Sequence, residues 1–441
     1  MRRTVFSCAL LILLSRSAGS QTQASPDSAL KHGTLRDCVQ YALSHQPVIQ
    51  QSLIDEEITE RAISDKLADW YPQLNFGFNI QHNPQLPVSI VQGNAATVGL
   101  QNTSTGAFSL SQTVFNRDVL LASSTASDVR RESVQQTTSA KIDIVVNVSK
   151  AYYAVLATQE QIDLLNEDIV RLRQSQNDAY NQYKGGIVDK TDYQRATIAL
   201  NNAKAQKLQN EELLKARVAS LKNQMGYPAS ANLDLEYDTA TMEREAAMDT
   251  TQLPKLENRI EYQLLKTQES LQEANLDYQK WSFLPSLTAY GGYNFFFQND
   301  AFSQLYGKNY PNSNLGLQLA FPIFEGGRRI QRIAEAKLEL ERTDYDLVAL
   351  DNAVHSEYVN ALAGYRSNLN NYLVLKENLT LAKEVYQTIQ LQYKAGTKTY
   401  LDVITAENDL RTAQANETDA LYEVLSSKLD LQKSLGSIQY H

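Results

Sequence analysis

Cysteine is almost missing from this chain: 441 residues hold two, Cys8 and Cys38. Cys8 lies in an N-terminal stretch, MRRTVFSCALLILLSRSAGS, with a basic start at Arg2 and Arg3, an apolar run from Val5 to Leu14 and a small-residue end. That three-part pattern reads as an export leader and is too short for a spanning helix. Cleavage is expected after Ser20, or failing that after Ala24, which leaves Cys38 alone and excludes an intramolecular disulfide. Because Cys8 stands inside the apolar run and not after it, no lipid anchor is expected. Positive charge is short as well. The formal net charge is -9, and loss of residues 1–20 removes three arginines and no acid, taking it to -12. An acidic, exported chain is a poor binder of nucleic acid. Nor does any later stretch approach the ~18 consecutive apolar residues of a spanning helix. Any passage through a membrane falls to strands.

The residue patterns of catalysis are missing too. Five histidines (His32, His45, His82, His355 and His441) are scattered, and none has the i, i+4 spacing with Glu of a zinc-protease helix. The glycine pairs Gly185-Gly186, Gly291-Gly292 and Gly326-Gly327 do not lead into Lys-Ser/Thr, so there is no P-loop. Asp55-Glu56-Glu57 reads as the solvated face of a helix, and Cys38 as a buried helix position. The expectation is no enzyme activity, no metal and no cofactor.

What is there begins with length. Arg117 to Lys184 is a run of 68 residues with no Gly and no Pro, and Arg328 to Ala395 is another with no Pro and only Gly364. Straight helices of that length extend roughly 100 Å at ~1.5 Å per residue. In the second run, larger side chains recur at Leu347, Leu350, Val354, Tyr358, Leu362, Tyr365, Leu369, Tyr372, Leu375, Leu379, Ala382, Tyr386, Ile389 and Tyr393. Their mean spacing is about 3.5, the coiled-coil period, so the helices are expected to pack along their length against other helices. A break at an unmarked turn is the alternative, since it needs neither Gly nor Pro.

The chain also says things twice. Residues 182–205 match residues 392–415 without a gap, with nine identities in 24, among them Tyr183/Tyr393, Gly186/Gly396, Asp192/Asp402 and Ala196/Ala406. WYPQLNFGFNI, from Trp70, is echoed by FLPSLTAYGGYNFFF, from Phe283. Two repeats follow, about 35–227 and 253–441, each ordered helix, strand, loop, strand, very long helix, glycine turn, helix. Residues 226–254 link them, with a short alternating piece at Leu233, Leu235 and Tyr237.

The strands, placed within 72–116 and 284–324, alternate. Leu74, Phe76, Phe78 and Ile80 face one way and Gln73, Asn75, Gly77, Asn79 and Gln81 the other. After Pro285 the apolar side carries Leu287, Ala289, Tyr293, Phe295 and Phe297, with Tyr290 and Phe296 blurring the polar side. A fourth strand, from Leu315, places Leu317, Leu319, Phe321 and Ile323 together, and a second, around Phe108 to Phe115, is interrupted by Gln112. Lengths of about 9 to 11 residues suit strands that cross a membrane with polar residues facing a lumen. Trp70, Tyr71 and Trp281 near the strand starts suit its interface. Four strands cannot close a barrel, so a conducting lumen needs about three chains.

The doubled Tyr-x-x-Gly-x-x-x-x-x-Asp phrase (Tyr183/Gly186/Asp192 and Tyr393/Gly396/Asp402), the Leu-Pro-x-Leu strand entry and the FPIFEGGRR strand exit together resemble the TolC family of outer-membrane efflux proteins, over essentially the whole mature chain. The resemblance implies a mostly α fold with a membrane β-barrel: a homotrimer whose 12-stranded barrel sits among outer-membrane lipid and continues as a long α-helical coiled-coil tunnel through the periplasm. It implies a passive export duct that serves an inner-membrane transporter, the source of energy, through a periplasmic adaptor protein. The glycine phrases become hairpin tips at the far end of the tunnel, where the adaptor docks on Gly185, Gly186, Ile187, Ala395, Gly396 and Thr397. Asp402 becomes the gate constriction, where three converging carboxylates should raise one another's pKa. Asp192, Tyr393 and Lys398 become polar links that hold the tip closed. Thr405 stands where some members carry a second acidic ring, and Lys398 replaces a commoner Arg, keeping the charge without its bidentate geometry. Read without the family, Asp192 and Asp402 are residues near helix starts, where Asp is a common N-cap. The rival to the duct is a periplasmic coiled-coil adaptor or structural protein with a small soluble sheet domain.

Overall fold

The computed structural model describes residues 33–91, 94–236 and 239–440. The expected leader over residues 1–20 and the Tyr237 end of the alternating piece lie outside them.

The first half opens with α1 (Leu35–His45), whose N-cap Thr34 and Asp37 form a reciprocal capping box, and α2 (Pro47–Leu67), which starts on a proline. A 3-10 turn at Ala68–Trp70 leads into β1 (Gln73–His82). The short hairpin β2 (Val88–Val91) and β3 (Asn94–Thr97) stands in the following loop, and β4 (Asn102–Phe115) returns. Then come α3 (Arg117–Lys184), α4 (Lys190–Met225) and the small α5 (Thr239–Glu245) of the linking segment. The second half repeats the order with α6 (Ile260–Lys280), β5 (Ser286–Asn299), β6 (Asn312–Ala320), α7 (Arg328–Lys394) and α8 (Tyr400–Ser434). Corresponding helices agree in length to one residue: 68 and 67 for α3 and α7, 36 and 35 for α4 and α8.

Both very long runs are single helices. Each of the fourteen positions traced at 3.5-residue spacing along α7 is buried or half-buried. A residue stripe that drifts with the supercoil stays on one contact, which is how so long a helix remains packed. α3 lies along α4, α7 along α8, and the two hairpins meet where α3 packs on α8.

Strand limits differ from the sequence expectation, and two short strands are added to it. β4 begins at Asn102, well before Phe108, because its polar start (Thr103, Ser104, Thr105) pairs in register with Gln81, Ile80 and Asn79 of β1. β6 spans Asn312–Ala320, so Phe321 and Ile323 fall beyond it; Pro322 between them has no N–H for a ladder. The β2–β3 hairpin carried no apolar alternation strong enough to read.

The largest core lies at the level of the linking segment, where α1, α3, α4, α7 and α8 bring together residues such as Cys38, Val148, Leu221, Tyr365, Val424 and Leu431. Cys38 is fully buried, and burial pushes its thiol up to about 12. Tyrosine hydroxyls tie the linking segment to the long helices. Tyr152 donates to the Glu236 carbonyl at 3.0 Å, Tyr358 to that of Gln252 at 2.8 Å and Tyr365 to that of Ala246 at 2.8 Å. Tyr153 reaches the Glu245 carboxylate at 2.9 Å. Each ring fills core volume while its hydroxyl satisfies a polar group of a segment with little regular structure of its own.

Candidate functional site

Two places combine unusual chemistry with position: the sheet at one end and the helix turns at the other. The sheet is antiparallel, in the order β1-β4-β5-β6, with β1 and β6 as its two outer strands. Its register gathers one apolar face. Leu74 and Phe76 stand opposite Leu110 and Phe108, Phe108 opposite Tyr293, and Ala289 and Leu287 opposite Leu317 and Leu319. Phe76 and Phe108 pack with ring centroids 4.7 Å apart, and Tyr293 and Phe295 4.9 Å apart. Yet the face is open: Leu315 is 90% exposed, Leu317 70% and Phe78 60%. In water so much contiguous apolar surface is unfavourable, so it marks a face made for lipid or for a partner. The opposite face is polar, with the Asn294 amide donating to Asn312 Oδ1 at 2.7 Å. Tyr290, the aromatic intruder on this side, lies against Gly316, where a Cβ would stand 2.7 Å from its hydroxyl.

At the other end, α3 and α7 each stop in the same way. Gly186 and Gly396 take positive φ, 71° and 77°. The Ile187 amide donates back to the Gln182 carbonyl at 2.9 Å and that of Gly186 to Tyr183 at 3.0 Å; Thr397 to Gln392 and Gly396 to Tyr393 repeat the pair at 3.0 and 2.9 Å. This is the paired Schellman closure, which satisfies the last carbonyls and needs a left-handed residue. The doubled phrase is therefore a doubled helix stop. Gly185, Gly186, Ile187, Ala395, Gly396 and Thr397 are all exposed, and Ile187 presents a bare apolar side chain.

The remaining candidates gather around these turns. Tyr393 donates its hydroxyl to Gln182 Oε1 at 2.8 Å, a bond from one hairpin to the other, and burial raises its pKa. Its ring lies 5.9 Å from that of Tyr400, which is buried with Ala179 and Ala196. Asp192 is half-buried in the first turn of α4, where its charge acts on Tyr393 and Tyr400. Lys398 Nζ lies 3.9 Å from Asp402 Oδ1 on its own hairpin. Neither aspartate is an N-cap, which corrects the family-free reading. The caps are Asp189 and Thr399, and Asp192 and Asp402 each occupy the third helical position. Asp402 completes a capping box: its Oδ2 accepts from the Thr399 amide at 2.9 Å and hydroxyl at 2.8 Å. Those two bonds, with Lys398, hold its carboxyl below the usual range within one protomer, opposite in sign to the rise expected of three converging carboxylates.

Sequence reasoning passed over Gln182, the acceptor of the Tyr393 bond, and a buried charged cluster deeper between the hairpins. There Asp168 and Arg171 of α3 pair, and Glu407 of α8 is 5% exposed; burial pushes its carboxyl up to about 7, against the opposing charges of Arg171 and Arg411. The signal was available. Tyr400, Val403, Glu407, Leu410 and Gln414 follow the same 3.5-residue spacing that was traced only along α7. Among the described residues no His/Cys/Asp/Glu group is placed to hold a metal ion, and no helix is long and apolar enough to cross a membrane.

Known proteins bear on this geometry. The family model described as outer membrane efflux protein matches residues 38–227 and 256–437. The chain is 21% identical to the outer membrane protein TolC of Vibrio cholerae over 420 residues, 93% of this chain and 92% of that protein. It is also 21% identical to the alkaline protease secretion protein AprF of Pseudomonas aeruginosa over 407 residues, 89% and 82% of the two chains. In structure it resembles the MtrE outer membrane channel of Neisseria gonorrhoeae, with a TM-score of 0.72 and 19% identity across 91% of this chain and 88% of that one.

Proposed function

This chain belongs to the family of outer membrane efflux proteins, and from that premise we propose that it is a passive export duct whose three copies close one lumen. The protein is an outer-membrane channel of the efflux and secretion class, as its family and relatives are, and those relatives are channels rather than enzymes. The observation that carries the trimer is the sheet. Four strands of 9 to 14 residues, with one exposed apolar face and one polar face, leave β1 and β6 as open edges. An open edge in hydrocarbon would hold unsatisfied backbone groups, so the sheet must close, and three copies give twelve strands and a water-filled bore.

The residues divide accordingly: a leader over 1–20, a single duct chain of two repeats, barrel strands within 72–116 and 284–324, an equatorial link over 226–254, and periplasmic tunnel helices elsewhere. The tip turns at Gly185, Gly186, Ile187 and Ala395, Gly396, Thr397 take the periplasmic adaptor, which connects the duct to an inner-membrane transporter. Asp402 lines the constriction, and Tyr393, with Asp192 and Lys398 nearby, ties the hairpins of a closed tip. The exposure of the turns and the bond from Tyr393 to Gln182 support these roles. A periplasmic coiled coil with a soluble sheet domain is the poorer reading, because it gives the apolar face no cover.

Single-channel conductance in a planar bilayer tests the proposal, with selectivity read from the reversal potential, for the unaltered protein and for Asp402→Ala. Discrete cation-selective openings that grow and lose selectivity in the variant are expected. Folded, inserted protein that never conducts would overturn the duct; an unchanged variant would leave Asp402 as the partner of Thr399 and nothing more.

A further inference from the structure

The seam between the two hairpins, where α3 meets α8, is crossed by polar links along its length. Passing toward the tip, Lys433 bonds Asp143 at 2.7 Å, Lys150 bonds Asp430 at 2.6 Å and the Gln161 amide bonds Asp419 at 2.7 Å. At the end stands the bond from Tyr393 to Gln182. Between Gln161 and the tip the pattern changes, because here the charges go inside. Asp168 is 2% exposed and Glu407 5%. Arg171 of α3 bonds Asp168 Oδ1 on its own helix, one turn away, and its other terminal nitrogen lies 3.6 Å from the exposed Glu167 Oε2.

Three atoms of this cluster have no hydrogen-bond partner among the described residues: Asp168 Oδ2, Arg171 Nε and Glu407 Oε1. The Arg171 guanidinium thus lies close enough to act on the Glu407 carboxylate from the other side of the seam, while no hydrogen bond joins the two sides. Such a half-satisfied network is costly as it stands and is relieved by a small rearrangement or by a proton. The other groups about Glu407 are Tyr386 of α7 and Tyr400 and Arg411 of α8, while α4 brings the neutral Gln206, Gln209 and Asn210 to an adjoining cavity of about 330 Å³. Arg411 and Gln414 of α8 line the same cavity, so water has a way in beside the cluster.

We propose that Asp168, Arg171 and Glu407 form a proton-controlled latch on the seam: with Glu407 protonated the hairpins stay packed at this level, and with Glu407 ionised they part to hydrate it. This rests on the duct reading, since the seam belongs to the tunnel wall near its tip. The direction follows from linkage. Burial raises the Glu407 carboxyl to about 7 in the packed seam, against the partial opposition of Arg171 and Arg411, and a hydrated carboxyl returns toward its ordinary value of 4.5. The packed state therefore holds the proton more tightly. Its advantage is complete below the ordinary value and is lost as the pH rises through about 7.

Amide hydrogen exchange on the full-length protein in lipid nanodiscs, corrected for intrinsic rates, reads the latch directly. Peptides covering residues 165–175 and 403–414 should lose protection about tenfold or more between pH 6 and pH 8. In Glu407→Gln, neutral and equal in size, they should stay protected across that range. An equal loss in Glu407→Gln, or no loss in the unaltered protein, would overturn the latch. Asp168→Asn gives a second reading that does not depend on the first variant folding. It frees Arg171 for Glu407, so the midpoint should move to lower pH, and an unmoved midpoint refutes the exchange of partners. Exchange is measured whether or not the protein conducts, so a silent bilayer counts against the duct and a flat exchange profile against the latch.

Discussion

The helix stops at the two levels of the molecule share one backbone geometry and differ in everything around it. Gly186 and Gly396 at the tip, and Gly226 and Gly436 at the upper ends of α4 and α8, all have φ between 67° and 77°. At the tip glycines a Cβ would meet nothing within 4 Å. At Gly226 a Cβ would stand 2.8 Å from the His45 carbonyl oxygen, and at Gly436 2.7 Å from that of Asn258. His45 and Asn258 precede α2 and α6 at corresponding places of the two repeats, so the close approach is duplicated along with the fold. The upper level is a joint clamped backbone to backbone beside the large core; the tip is a turn with open surroundings and thin packing. A structure that must stay assembled at one end and remain free to rearrange at the other would divide its contacts in this way.

Substitutions at the two levels sharpen the contrast. The largest effect belongs to Gly226→Ala and Gly436→Ala, where positive φ and a backbone collision add; each is expected to cost about 2–5 kcal/mol, read as a large fall in the thermal midpoint of the assembled protein. Next comes Tyr365→Phe, which strips the buried Ala246 carbonyl of its 2.8 Å donor and should cost about 1–3 kcal/mol. Gly396→Ala meets no neighbour and carries only the left-handed backbone penalty of about 1–2 kcal/mol, so the protein should insert and assemble normally. Tyr393→Phe, which loses the bond to Gln182 at half-exposed positions, should cost about 0.5–1.5 kcal/mol while increasing the open probability of single channels. Equal losses of midpoint for Gly226→Ala and Gly396→Ala would erase the distinction between clamped joint and free turn.

A pH series sharpens the comparison further at the tip. The Asp402 carboxyl is held low by Thr399, so its cap is present at neutral pH and is lost only as the pH falls through that depressed value. Glu407 is displaced the other way and responds near pH 7. Conductance changes near neutrality should therefore survive in Asp402→Ala and vanish in Glu407→Gln.

Much of this was legible in the chain. The very long helices leave their mark as a stretch without Gly or Pro in α3 and as a spacing of 3.5 in α7, because both follow from the backbone and need no knowledge of partners. The doubled glycine phrase announced two turns because positive φ admits few residues other than glycine. The apolar alternation of β1 and β5 told which face of the sheet would be apolar, since the side-chain period of a strand is a property of the strand itself.

Tertiary structure decided what depends on distances across the fold. The polar beginning of β4 became strand because β1 and β5 lay on either side of it. Asp402 and Glu407 are both acids of α8, five positions apart; one faces water and a capping threonine, and the other enters the seam with α3. Their opposite displacements arise from what each is packed against. The same holds for the glycines. Sequence identified the need for a left-handed residue at the two tip turns, but that Gly226 ends α4 in the same conformation, with a Cβ there 2.8 Å from the carbonyl oxygen of His45, a residue far away in the chain, only the folded arrangement decides.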